Sequence, residues 1–236
     1  MPETAFTAAY WDSVYAEPQT MDGIFNASLH TDYLQALFSL DGVKVRSVLD
    51  VGFGLGHLFN AVIQRFRPAR AVGIEPSVHA FDVARSVIRP PKGCRLKLLC
   101  MTVEEWCARP RRPASFDLTL CTSVLQYLDD DTLARVLPVL AARTRFVYLT
   151  VPTDVEARRM LADYNFADAY ARHRTRSEYR AHIDPHFTII GNRLLESRAF
   201  YDETSRVFVY RSPPRAHPLD TPQGPTVGST GTYHFM

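Results

Sequence analysis

Residues 47–62 read SVLDVGFGLGHLFNAV, and the fold turns on where this stretch breaks its own pattern. Val48 and Leu49 open it as a buried strand. An aspartate, Asp50, and three glycines at Gly52, Gly54 and Gly56 follow. The apolar run then resumes at helical spacing, with Leu58, Val62 and Phe66 on one face. Glycines between a strand and a helix allow a tight turn and let a ligand approach the backbone. The helix that follows directs unpaired N–H groups and a partial positive charge at that ligand. A plain turn needs one glycine, not three behind a carboxylate, so this stretch reads as a ligand loop at the carboxyl end of a strand.

Working outward, the chain alternates. RAVGIE is a strand, SVHAFDVARSVI a helix, RLKLLC a strand and VEEWCA a short helix. FDLTLCTS is a strand, DTLARVLPVLAART a helix and RFVYLTV the fifth strand. Five apolar strands separated by helices predict an α/β fold, a doubly wound parallel sheet covered on both faces. The first 40 residues read as mostly helical, with an amphipathic segment around Leu29 to Leu40. After Pro152 the rhythm changes. Asp154 to Ala181 is helical and arginine-rich, and HFTIIGNRLLES and SRVFVYRS then read as an antiparallel pair closing one edge of the sheet. From Ser212 proline, glycine, serine and threonine dominate, which predicts a disordered tail. The expected organisation is one domain over residues 1–211, with a helical lid over 1–43, a helical insertion over 153–185 and a tail over 212–236.

Composition narrows the function. The 236 residues are 46% apolar with a net charge of +2, which leaves no electrostatic footprint for nucleic acid. No apolar run reaches the length of about 18 residues that crosses a bilayer, and MPETAFTAAYWD lacks the basic start and greasy stretch of a secretion signal. The expectation is a cytoplasmic protein with no membrane or nucleic-acid partner. Cys94, Cys100, Cys107 and Cys121 form no Cys-x-x-Cys pair and have no flanking histidine pair, so they read as reduced cysteines and no metal is expected. The sequence does not set an oligomeric state.

The loop's ligand has two readings. A dinucleotide fingerprint is Gly-x-Gly-x-x-Gly, and its third position here is His57. The acid at Asp50 also suits a ligand with a cationic group better than a pyrophosphate. Asp50-Val-Gly-Phe-Gly-Leu-Gly56 resembles the Asp-x-Gly-x-Gly-x-Gly motif of class I S-adenosylmethionine-dependent methyltransferases. By element order the resemblance runs over roughly Tyr10 to Arg211. It implies a mostly parallel seven-stranded sheet with a C-terminal antiparallel strand and a helical N-terminal lid.

The resemblance also implies roles. Asp50 and the Gly52 backbone hold the methionine part of the cofactor, with Gly54 and Gly56 completing the loop. Glu75, 19 residues beyond Gly56, accepts both ribose hydroxyls, and Pro76 lies against the adenine. The Met101–Val103 backbone cradles the adenine. Thr102 stands where relatives often carry an aspartate, and with Glu105 it also forms a capping-box pattern. Cys121 offers its carbonyl to the ammonium.

For the acceptor, the lid aromatics of YWDSVY (Tyr10 and Tyr15), Gln126 after the fourth strand, and Tyr170 and His186 of the insertion are the candidates. No catalytic base is assigned. Arg172, Arg174, Arg176 and Arg180 read either as a solvated helix face or as attraction for an acidic acceptor such as a carboxylate or phosphate. The function implied is transfer of a methyl group to an oxygen or nitrogen of a small molecule. The alternatives are an NAD(P)-dependent oxidoreductase using the same crevice and a catalytically inactive S-adenosylmethionine-binding partner protein.

Overall fold

The structure is a computed structural model, which describes residues 6–14, 21–109 and 115–200. Seven strands form one sheet: β1 (Ser47–Val51), β2 (Arg70–Glu75), β3 (Arg95–Cys100), β4 (Phe116–Thr122), β5 (Thr144–Thr150), β6 (Phe187–Gly191) and β7 (Leu194–Ser197). Their order is β3-β2-β1-β4-β5-β7-β6. The first five pair in parallel, and β7 runs antiparallel to both β5 and β6. The strand order reverses between β1 and β4, and a crevice opens at such a point beyond the carboxyl ends of the strands.

Alternation along each strand divides the core into two layers. Val48, Ala71, Leu118, Phe146 and Tyr148 face α2 (Ala27–Leu40), α3 (His57–Phe66) and α4 (Val78–Val87). Leu49, Val72, Ile74 and Val147 face α5 (Val103–Ala108), α6 (Asp130–Arg143) and α8 (Arg176–Ile183), with Trp106 and Leu133 among the buried residues there. Helix α1 is Ala8–Val14, and α7 (Asp154–Tyr164) buries none of its side chains. Within α2 the buried residues are His30, Thr31, Leu34 and Phe38, while Leu29 and Leu40, which bracket the amphipathic reading, are exposed.

The sheet edge differs from the sequence reading in one respect. HFTIIGNRLLES is not one strand but the whole hairpin, since Gly191 pairs with Leu194 and Phe187 with Ser197. The chain reverses at Asn192–Arg193, where Arg193 adopts the left-handed region at φ 65°. SRVFVYRS and the tail expected from Ser212 lie outside the described residues. Among the described residues no helix is long and apolar enough to cross a membrane.

Candidate active site

A cleft of about 610 Å³ lies at the carboxyl ends of β1, β2 and β4. Gly52 and Gly54 form its floor, Glu75 and Pro76 one side, Met101 and Val103 another, and Thr122 to Val124 follow from β4. Gly52 has φ 73°, and a Cβ there would stand 2.5 Å from Val124 Cγ2. The chain needs glycine at this position on both counts. Gly56 is different. At φ 83° its missing Cβ makes room for Ile88 and Ala84, so this third glycine lets α3 and α4 pack and does not line the cleft.

Two acids sit at this end of the sheet. Register places Asp50 opposite Gly73 and Val51 opposite Ile74, so Glu75 is Asp50's diagonal neighbour on the same face. Glu75 is 4% exposed, and its carboxylate accepts the Gly54 N–H at 2.9 Å and the Ser77 N–H at 2.9 Å. Burial lifts its pKa from 4.5 to about 7, with those two bonds holding it down. Asp50 is 3% exposed, and its Oδ1 has no hydrogen-bond partner. Burial, then the charge on Glu75, pushes its carboxyl well above the usual range. A buried, unpaired carboxylate oxygen beside a second acid creates a strong demand for a donor or a cation.

Helix α1 covers this floor. Trp11 is buried, donates from Nε1 to Ser77 Oγ at 2.8 Å, and lies against Gly54. Ser77 Oγ in turn donates to the Phe6 carbonyl at 2.9 Å. Phe6, Tyr10 and Trp11 thereby form part of the cleft wall. On the other side, the chain between α7 and α8 is held by Arg174, which is 8% exposed. It donates to Asp130 at 2.8 Å and to the Leu128 carbonyl at 2.6 Å.

The structure therefore brings Gly52, Gly54, Glu75, Pro76, Met101, Val103 and Tyr10 to one cleft, with Asp50 buried beside Glu75. It places the side chains of other candidates elsewhere. Thr102, between the lining residues Met101 and Val103, spends its side chain on a capping box with Glu105, and the Cys121 side chain is buried in the core one place before the lining residue Thr122; the roles expected of these two residues belong to their backbone groups and are compatible with both placements. Gln126 is buried at 4% in the turn Leu125–Tyr127, and the next residue, Tyr127, lines the cleft in its place. Tyr170 packs against Tyr10 with ring centroids 5.7 Å apart and lines an adjacent hollow.

His186 corrects the sequence reading. It precedes β6, whose first residue pairs with Ser197, and Glu196 pairs with Phe146 near the start of β5. That is the amino end of β5, opposite the cleft. Tyr15 lies outside the described residues. Trp11, Tyr127 and Asp168, which Tyr127 binds at 2.6 Å, were not singled out from the sequence. The aromatic run at 10–15 and the turn after β4 pointed near the first two, and nothing local marks Asp168. Among the described residues no three His, Cys, Asp or Glu side chains are grouped to hold a metal ion.

Residues 48–145 match the family described as a methyltransferase domain. The fold is similar to an S-adenosylmethionine-dependent methyltransferase from Clostridium acetobutylicum ATCC 824, with TM-score 0.58 and 14% identity over 78% of this chain and 87% of that one. It is also similar to magnesium protoporphyrin IX methyltransferase from Synechocystis PCC 6803 with bound SAH, with TM-score 0.53 and 18% identity over 72% and 82% of the two chains. A third likeness is to the plantazolicin methyltransferase BamL in complex with a triazolic desmethylPZN analogue and SAH, with TM-score 0.54 and 16% identity over 74% and 64% of the two chains. Proteins of curated function give no significant sequence match. Glycine loop, sheet order and family match thus agree on a methyltransferase domain over residues 48–145, in a fold similar to that of S-adenosylmethionine-dependent methyltransferases.

Proposed function

We propose that this enzyme methylates an oxygen or nitrogen of a small molecule, within one domain over residues 1–211 that has a lid over 1–43 and an insertion over 153–185. The observation that carries the cofactor half is the orphaned Oδ1 of Asp50, buried beside Glu75 at the end of the glycine loop. That donor set fits S-adenosylmethionine. Asp50 answers a cationic amine, and Glu75 keeps acceptor capacity for two hydroxyls beyond its two backbone bonds. Gly52 and Gly54 let the ligand lie on bare backbone. Pro76, Met101 and Val103 form an apolar slot suited to a purine, and the first N–H groups of α5 have no partner within their own helix. On this reading Gly56, by lacking a side chain, and the side chains of Thr102 and Cys121 act from behind, by packing and capping, while the Thr102 backbone and the Cys121 carbonyl serve the cofactor.

S-adenosylmethionine supplies an electrophilic methyl group on a sulfonium. The chain's own part is to align the acceptor and keep the cleft dry, which Trp11, Phe6 and Tyr10 do by covering the glycine loop. Tyr10, Tyr127 and Tyr170 are the acceptor-side residues on this reading, and Gln126 supports the turn that carries Tyr127. An acidic acceptor draws less support. Arg174 is tied to Asp130 and Arg180 to Asp184, which leaves Arg172 as the insertion arginine lining the hollow next to the cleft. Calorimetry with S-adenosylmethionine and with NADH, followed by radiolabel transfer to a metabolite panel, tests the proposal. Binding of NADH in place of S-adenosylmethionine would revive the oxidoreductase reading. Binding without transfer to any acceptor would leave an inactive partner protein.

A further inference from the structure

A second hollow of about 990 Å³ adjoins the cleft, and Phe6 and Tyr127 line both. Glu104, Asp129, Tyr170 and Arg172 complete its chemistry. Asp168 sets the polarity of the shared wall. Its Oδ2 accepts from Tyr127 Oη at 2.6 Å and from Tyr10 Oη at 3.0 Å, and its Oδ1 accepts the Tyr170 N–H at 3.0 Å. A carboxylate only accepts, so the Tyr127 proton is committed to Asp168; the Tyr10 hydroxyl also lies 3.2 Å from the Tyr127 oxygen, which keeps a lone pair to offer. Glu104 Oε2 is shielded from solvent with no hydrogen-bond partner, and Asp129, whose Oδ1 caps α6 by accepting the Thr132 N–H at 2.8 Å, has its other oxygen as a further acceptor. Against these, among the described residues, stands a single lining cation, Arg172. Three aromatic rings, whose faces attract positive charge, line the same hollow.

We propose that this hollow is the acceptor pocket and that it selects an amine, in preference to a carboxylate or phosphate, with Asp168 as the positioning residue that aims Tyr127's lone pair inward. The inference rests on the methyltransferase reading of the adjoining cleft. The bound ammonium first gives up a proton to solvent, and the neutral amine's lone pair then forms the new N–CH3 bond. The S–CH3 bond breaks with its electron pair going to sulfur, and the nitrogen's surplus proton leaves to solvent.

The test is calorimetry on the full chain, first with S-adenosylhomocysteine and then, on the loaded protein, with 2-phenylethylamine and phenylacetate, which share a ring and differ in charge. The amine is expected to bind at least about tenfold more tightly. Glu104→Gln with Asp129→Asn is expected to erase that preference and leave S-adenosylhomocysteine affinity within about twofold. Asp168→Asn presents an amide N–H to the phenols and frees their protons, so it shifts the amine-to-acid ratio toward the acid, whereas a merely structural role would weaken both probes alike. Phenylacetate binding as well as the amine, or neither probe binding to the loaded protein, overturns the proposal. Failure of S-adenosylhomocysteine to bind would overturn the reading of the cleft itself.

Discussion

Glu75→Gln separates an acid held for a ligand from an acid held for the fold. In the folded chain Glu75's pKa rises from 4.5 to about 7, so at roughly 1.4 kcal/mol per pH unit its ionised form costs about 3 kcal/mol. Below about pH 4.5 both folded and unfolded chains carry the proton and the penalty is absent. It grows as pH rises and is complete above about 7, because the folded state holds the proton longer. Glutamine keeps the shape and cannot ionise. It can accept through one oxygen only, so either the Gly54 or the Ser77 N–H loses its partner, which costs about 1–2 kcal/mol. The ligand-free variant is therefore expected to equal or exceed the parent by up to about 2 kcal/mol at pH 8 and to lose that advantage at pH 5. S-adenosylmethionine affinity is expected to fall by about 2 kcal/mol, close to 30-fold, as charge-assisted bonds disappear. Urea denaturation at the two pH values and titration calorimetry read both quantities. A variant much less stable than the parent at pH 8, or one with unchanged affinity, refutes the reasoning.

Three further outcomes follow from the same geometry. Gly52→Ala, at φ 73° and 2.5 Å from Val124 Cγ2, is expected to destabilise by about 2–4 kcal/mol, whereas Gly42→Ala, at φ 66° with open space around it, is expected to cost about 1 kcal/mol; equal melting temperatures would count against the packing argument. Arg174→Met leaves the Leu128 carbonyl without its buried donor and is expected to cost about 2–3 kcal/mol in urea denaturation, against under about 0.5 kcal/mol for Arg180→Met at an exposed pair. Binding of the cationic cofactor favours the ionised forms of Asp50 and Glu75, so at pH 6.5 it is expected to release about one proton; calorimetric enthalpies that do not differ between phosphate and Tris buffers would contradict this.

What was legible in the sequence follows from how local its cause is. Strands β1 to β5 each carry an apolar run between helical repeats, and the glycine loop's backbone demands are written into Gly52, Gly54 and Gly56. Which glycine lines the cleft and which packs a helix depends on Ile88 and Ala84, more than 25 residues away. The hairpin at Asn192–Arg193 was hidden because apolar residues flank the turn on both sides and the left-handed residue is an arginine, not a glycine. His186 was misplaced because its end of the sheet follows from the direction of β6, which that turn decides. Gln126 and the cleft-lining Tyr127 differ by one residue. The chain there is a tight three-residue-per-turn helix, in which adjacent side chains point about 120° apart, so a strand's alternation no longer tells which faces the cleft. Asp168 joins Tyr10 and Tyr127 from 158 and 41 residues away, and no local pattern encodes that meeting.

The placement of Ser77 connects these observations physically. Its N–H serves Glu75, its hydroxyl accepts from Trp11 and donates to the Phe6 carbonyl, and the same oxygen caps α4 by accepting the Ala80 N–H. One residue thus couples the charge state of an acid to the seat of the covering helix. With Glu75 protonated, one of its oxygens becomes a hydroxyl, a weaker acceptor for its backbone N–H and a new donor to which that N–H offers no acceptor. With Glu75 ionised, both bonds are at full strength, but Asp50 stands unpaired beside a like charge in a buried layer. Neither state satisfies every group in the ligand-free chain. On the reading proposed above, a cationic nucleoside resolves the conflict by bringing positive charge to Asp50 and hydroxyl donors to Glu75. On that reading the covering helix rests on a fully paired floor, and loop, acids and α1 act as one binding device.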